Sequence, residues 1–179
     1  MISEIHLNWY RRFRNTGIAC IVIVYLVILA GSIVRSTGSG MGCPDWPKCF
    51  GSWIPPTDES QLPSNYQEIY NTHGEGIEPF NAAKTWTEYI NRLLGAISGL
   101  FLIALVGVAF LGRKMDAVAF RFSVLSLVTI LIIGWIGAKV VSTNLKPVMI
   151  TIHMVLALIL VFLLNYAVFF SATSTSEAL

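Results

Sequence analysis

The sequence predicts an all-α integral membrane protein: four transmembrane helices in a bundle, with one long outer loop between the first two. Three observations carry this reading. Four apolar runs each come close to the roughly 20 residues that cross a hydrocarbon core at about 1.5 Å per residue. Only 12% of the 179 residues are charged and 55% are hydrophobic, with mean hydropathy +0.67, whereas soluble domains carry roughly twice that charged fraction. The charges that remain gather at the ends of the runs. The net charge of +2 gives no sign of a nucleic-acid partner; the partner that composition implies is the lipid bilayer.

The elements follow in order as one membrane domain covering residues 1–179. Residues 1–15 read as an amphipathic lead-in, with Trp9 and Tyr10 suited to the headgroup region. Arg11, Arg12 and Arg14 then place the N-terminus in the cytoplasm by the positive-inside rule. The first helix spans about 16–35. Its apolar run ends in Arg-Ser-Thr-Gly and lacks a small-residue cleavage site, so it is read as a span and not as a signal peptide. With no Arg- and Ser-rich presequence, the expected home is a bacterial inner (plasma) membrane. The second helix, about 86–112, returns to the inside, where Arg113, Lys114 and Arg121 flank a tight turn. The third, about 121–141, carries the small residues Gly134, Gly137 and Ala138 that let membrane helices approach closely. Pro147 suits the first position of the fourth helix, about 148–170, which leads to a Ser/Thr-rich cytoplasmic tail.

Residues 36–85 are different in kind. They hold six of the seven prolines and six acidic residues (Asp45, Asp58, Glu59, Glu68, Glu75 and Glu78), with Lys48 and Lys84 as the bases. A loop of this length is usually a lid or a binding segment. A short helical turn is expected around Tyr66–Tyr70. Gly31–Gly38 and Gly137–Asn144 agree at four of eight positions, each at the outer end of an outgoing helix. Such a match carries little weight by itself.

Four groups of residues could do chemistry. Glu88, Asn91 and Arg92 stand at i, i+3 and i+4 where the loop turns into the second helix, so they share one face. Polar groups at this depth should face the bundle, either as a Glu88–Arg92 pair capping the helix or toward a polar ligand. His153 lies on the apolar fourth helix. A lone histidine there is more often hydrogen-bonded to a neighbour than a ligand, yet neutral imidazole is the usual axial ligand of haem iron. Arg35, Arg92 and Lys139 end up on the outer side. They are either snorkelling anchors or a cationic collar for anionic groups such as haem propionates. Cys43 and Cys49 are separated by five residues including two prolines, which is not the Cys-x-x-Cys of redox or zinc sites. A structural disulfide is favoured over a redox-active pair. Cys20 reads as a packing residue, and His6 and His73 as solvated.

Two stretches then invite comparison: Gly31-x-x-Val-Arg35-x-Thr37-Gly38-Ser39-Gly40-Met41-Gly42-Cys43-Pro44-Asp45-Trp46-Pro47-x-Cys49-x-Gly51, and Glu88-Tyr89-x-x-Arg92. Together with His153 they make the chain resemble the haem A synthase family, the cytochrome oxidase assembly proteins that make haem A. Family members usually have eight helices in two four-helix halves, and this chain resembles the amino-terminal half. The resemblance implies oxidation of the C8 methyl of haem O to a formyl group, in support of cytochrome c oxidase assembly. It implies haem between the second and fourth helices, iron on His153, Glu88 and Arg92 beside it, and Cys43 and Cys49 as the loop pair. It also implies a haem b in a second half, supplied by another copy of the chain or by a separate partner, with haem O synthase as a further neighbour. At Asn91 the chain departs from the family, which usually has His there. Because an amide is a poor iron ligand, the departure implies a five-coordinate haem with Asn91 on the open side. Glu88 is the expected catalytic residue. The alternatives are a non-catalytic haem-binding assembly factor and a quinone-linked membrane disulfide oxidoreductase.

Overall fold

A computed structural model describes residues 4–71, 79–114 and 116–170. His73, Glu75, Glu78 and the Ser/Thr-rich tail lie outside the described residues. Four long helices and three short elements make up the regular structure, and no strand forms among the described residues. All four long helices are long and apolar enough to cross a membrane.

α1 runs unbroken from Glu4 to Ser36, so the lead-in and the first span are one helix. Its 33 residues reach about 50 Å, well beyond a hydrocarbon core. Trp9 stacks on Phe13 with ring centroids 5.5 Å apart and donates its indole N–H to the Val108 carbonyl at 2.8 Å. Gly112 makes room for that indole, since any side chain there would fall inside the ring. α1 stops where Gly38 turns left-handed at φ 64°; Ser39 N–H then caps the Val34 carbonyl at 2.8 Å.

The segment after α1 holds a 3-10 turn, Glu59–Gln61, and the one-turn helix α2, Tyr66–Tyr70. α3, Ala82–Leu111, opens on Asn81, whose side chain accepts from Lys84 N–H at 3.1 Å. α4, Ala117–Ser142, opens on Asp116, which accepts from Ala119 N–H at 2.8 Å. These are ordinary polar N-caps, and each starts its helix about four residues before the apolar run does. α5 starts at Pro147, whose missing N–H costs nothing at a first position, and runs to Asn165 before a π-turn over Tyr166–Phe170.

α1 packs on α3, α3 on α4 and α4 on α5, and a smaller α1–α5 contact closes the ring. That order sets α3 and α5 on one diagonal and α1 and α4 on the other. The hydrophobic core lies toward the end of the bundle where α1 begins and α5 finishes: Phe13, Cys20 and Val24 meet Leu102, Leu105, Ala109, Ala119, Leu160 and Leu164. Large apolar side chains such as Leu100, Leu131, Leu158 and Phe162 face outward, as a lipid-facing surface requires. The opposite end, beneath the loop, is packed differently.

Candidate functional site

The loop end of the bundle is assembled around Arg92. Its Nε and Nη2 donate to Glu88 Oε1 at 3.1 and 2.5 Å. Nη2 also reaches the Cys43 carbonyl at 2.8 Å, and Nη1 reaches the carbonyls of Asp45 and Lys48 at 2.6 and 3.0 Å. A guanidinium has five N–H donors, and these five bonds use them all. The i,i+4 spacing of the pair aligns both side chains toward the loop.

Glu88 is 4% exposed and completes the clamp. Its Oε2 accepts the Cys43 N–H at 2.8 Å. A carboxylate has about four acceptor positions; Arg92 and the Cys43 N–H fill three of them, and the Gly42 backbone also lies against this carboxylate. Thr85 adds a hydroxyl bond to the Gly42 carbonyl at 2.8 Å. Gly42 itself must be glycine, because a Cβ there would stand 2.5 Å from the Lys84 carbonyl oxygen. Cys43 and Cys49 form a disulfide, S–S 2.00 Å, and both are fully buried. Asp45 closes the same turn by accepting from Phe50 and Gly51 N–H at 2.6 and 2.8 Å. A buried pair of this kind is a structural disulfide; a redox-active one would be partly exposed.

Below this clamp lie two buried polar atoms with no hydrogen-bond partner, Asn91 Oδ1 and His153 Nδ1. They project from α3 and α5, across the bundle diagonal. Each stands against a glycine of the other diagonal. A Cβ on Gly31 would lie 3.7 Å from Asn91 Oδ1, and one on Gly137 would lie 3.4 Å from His153 Cε1. Orphaned buried polar atoms are uncommon and ask for an explanation. A polar ligand held between the helices would satisfy both atoms.

The cations divide. Arg92 is fully committed to the loop and has no donor left for a ligand. Arg35 is exposed at the end of α1 and rests its Nη1 on the Met154 sulfur at 3.1 Å, next along the chain to His153. A thioether is a weak acceptor, so Arg35 is readily redirected to a stronger one. Lys139 is exposed and sits 5.8 Å over the Trp135 ring, as a snorkelling side chain does. A groove of about 360 Å³ under the loop is lined by Phe50, Pro56, Leu62 and Trp86, among others, and by none of Glu88, Asn91, Arg92 or His153. Among the described residues, no three His, Cys, Asp or Glu side chains cluster so as to hold a bare metal ion.

Gly31, Gly137, Asp45 and Thr85 enter the site unforeseen. The two glycines did carry a signal, since both head the weak repeat. Asp45 carried one only as part of the motif behind the resemblance, and Thr85 carried none, because their partners are backbone groups.

The model of the cytochrome oxidase assembly protein family matches residues 14–177. The chain belongs to that family. A protein named Heme A synthase from Shewanella oneidensis is 32% identical over 148 residues, which cover 83% of this chain and 40% of the relative. Proteins of the same name from Granulibacter bethesdensis and an Exiguobacterium species are 28% and 30% identical, over 79% and 75% of this chain. The chain spans about two fifths of the length of these curated family members (40%, 41% and 37%). No solved structure matches.

Proposed function

We propose that the chain binds haem between α3 and α5 and serves haem A synthase-type chemistry, oxidising the C8 methyl of haem O to a formyl group for cytochrome c oxidase assembly. The observation that carries this is the pair of unpartnered buried atoms, Asn91 Oδ1 and His153 Nδ1, each set against a glycine of the other diagonal beneath a fastened loop. The names of the relatives supply the chemistry: each is a Heme A synthase. When bound, haem supplies the redox-active iron and, as haem O, the methyl to be oxidised.

The residues of the chain hold, orient and shield. His153 is the iron ligand, since neutral imidazole is the ligand of choice and an amide is not. Arg35 is the candidate partner for a propionate, exchanging a thioether for a carboxylate, and Lys139 is a second. Glu88 and Arg92 fasten the disulfide turn over the loop end and keep water out. Glu88 is the acid–base group proposed to take up a proton near the substrate, through Oε2, while Oε1 stays on Arg92. A haem b carried by a second copy of the chain or by a separate carboxy-terminal half would relay electrons to this site, and haem O synthase is the natural source of substrate. The bacterial inner membrane, with both termini cytoplasmic and the acidic loop outside, is the setting consistent with the arginine and lysine distribution.

The test is to express the protein in membranes supplied with haem O and to chromatograph the extracted haems. Haem A formation that disappears with His153→Ala supports the proposal. Bound haem that is never converted, with or without a partner, favours the alternative reading of a non-catalytic assembly factor. That reading draws on the hydrogen bonds that occupy Glu88.

A further inference from the structure

The weak repeat in the sequence is an accurate repeat in three dimensions. Thr37 Oγ1 donates to the carbonyls of Ile33 and Val34 at 2.7 and 3.3 Å, and Thr143 Oγ1 donates to those of Lys139 and Val140 at the same two distances. Ser36 bonds the Ile33 carbonyl at 3.1 Å, as Ser142 bonds that of Lys139 at 3.3 Å. Gly38 and Asn144 are both left-handed, at φ 64° and 50°. The N–H that follows each caps its helix: Ser39 to Val34 at 2.8 Å, Leu145 to Val140 at 2.9 Å. α1 with α3 therefore repeats as α4 with α5.

The repeat extends to the candidate site. Gly31 and Gly137 occupy the same place, seven residues before the left-handed position. Each faces the polar side chain of the helix that returns, Asn91 in one pair and His153 in the other. The two side chains also share their unusual condition, a buried polar atom without a partner. Asn91 and His153 are thus counterparts across one layer of the bundle.

From this, and resting on the haem reading above, we propose that the site is a two-fold ligand frame with one position vacated. His153 alone holds the iron. Asn91 stands where the frame would offer a second ligand, would not ligate, and would leave that side open to a small exchangeable ligand that its amide can hydrogen-bond. Gly31 provides beneath Asn91 the space that Gly137 provides beneath the His153 ring, so an imidazole at either position finds the same setting.

The test is the spin state of purified, haem-loaded protein by absorption and electron paramagnetic resonance. Wild type should be high-spin and should convert to low-spin when imidazole is added. Asn91→His should be low-spin without added imidazole and should no longer respond to it. The double variant Asn91→His/His153→Asn, which moves the ligand to the other helix pair, should return to high-spin and regain its response. A low-spin wild type overturns the proposal. So does an Asn91→His protein that stays high-spin and imidazole-responsive, or a double variant that binds no haem while Asn91→His does. A wild type that binds no haem overturns the haem reading itself, and the inference with it.

Discussion

Arg92 and Glu88 lock together one helical turn apart, with the guanidinium donating to Oε1 at 3.1 and 2.5 Å while its remaining donors hold three loop carbonyls. The pair is the hinge between the membrane bundle and the disulfide turn. Both side chains are largely buried, at 14% and 5% exposure. Removing one partner therefore strands the other.

Arg92→Ala should cost about 3–5 kcal/mol, the penalty of leaving a buried charge uncompensated. Arg92→Lys keeps the charge but not the planar fork, and an ammonium on a single stem cannot span Glu88 and three carbonyls. It should recover only part of the loss. Thermal unfolding in detergent, wild type against both variants, measures this. If Arg92→Ala is as stable as wild type, the clamp carries no weight.

Glu88→Gln separates fastening from chemistry when set beside Arg92→Lys. Either change loosens the loop, because an amide at position 88 must point a donor at a donor, and both should speed hydrogen exchange at the Cys43 amide. Only Glu88→Gln also removes an acid–base group. Its haem A formation should fall by a further ~10²-fold or more relative to Arg92→Lys, with haem content kept. Equal losses in the two variants would reduce Glu88 to a loop fastener.

The glycines give opposite outcomes at the two ends of the bundle. Gly112→Ala drives a methyl into the Trp9 indole and should destabilise by ~1–3 kcal/mol, as overpacking does. Gly31→Ala meets only an ordinary contact with Asn91 at 3.7 Å and should leave the stability of the haem-free protein near wild type. It fills space in the proposed ligand layer, so haem occupancy should fall. Melting curves and bound-haem absorbance, read on both variants, test the contrast. Unchanged haem occupancy in Gly31→Ala would place the ligand elsewhere.

Much of this molecule was legible in its sequence because bilayer physics leaves few options. Apolar runs long enough to span must be helices, and Pro147 at a helix start and the loop-closing cysteines have strong local meaning. The Glu88–Arg92 pairing followed from spacing alone. What spacing could not tell was the destination of the guanidinium. Arg35, Arg92 and Lys139 looked alike as cations on one side, and only the folded loop shows that Arg92 is used up by carbonyls while the other two stay exposed. The starts of α3 and α4 were misplaced by about four residues, because Asn81 and Asp116 cap polar first turns that the apolar pattern does not reach, and that of α1 by about twelve, because the lead-in continues the span. The role of Gly31 and Gly137 was hidden for a similar reason. A glycine announces space, but what fills that space comes from another helix.

The central claim is that His153 holds haem within this bundle. The most direct measurement is the haem content of the purified protein by absorbance and pyridine haemochrome, wild type beside His153→Ala, with folding of both checked by helical circular dichroism. Haem retained by wild type and lost from an equally folded His153→Ala protein is the predicted result. Equal haem in the two proteins, or none in a well-folded wild type, would contradict it.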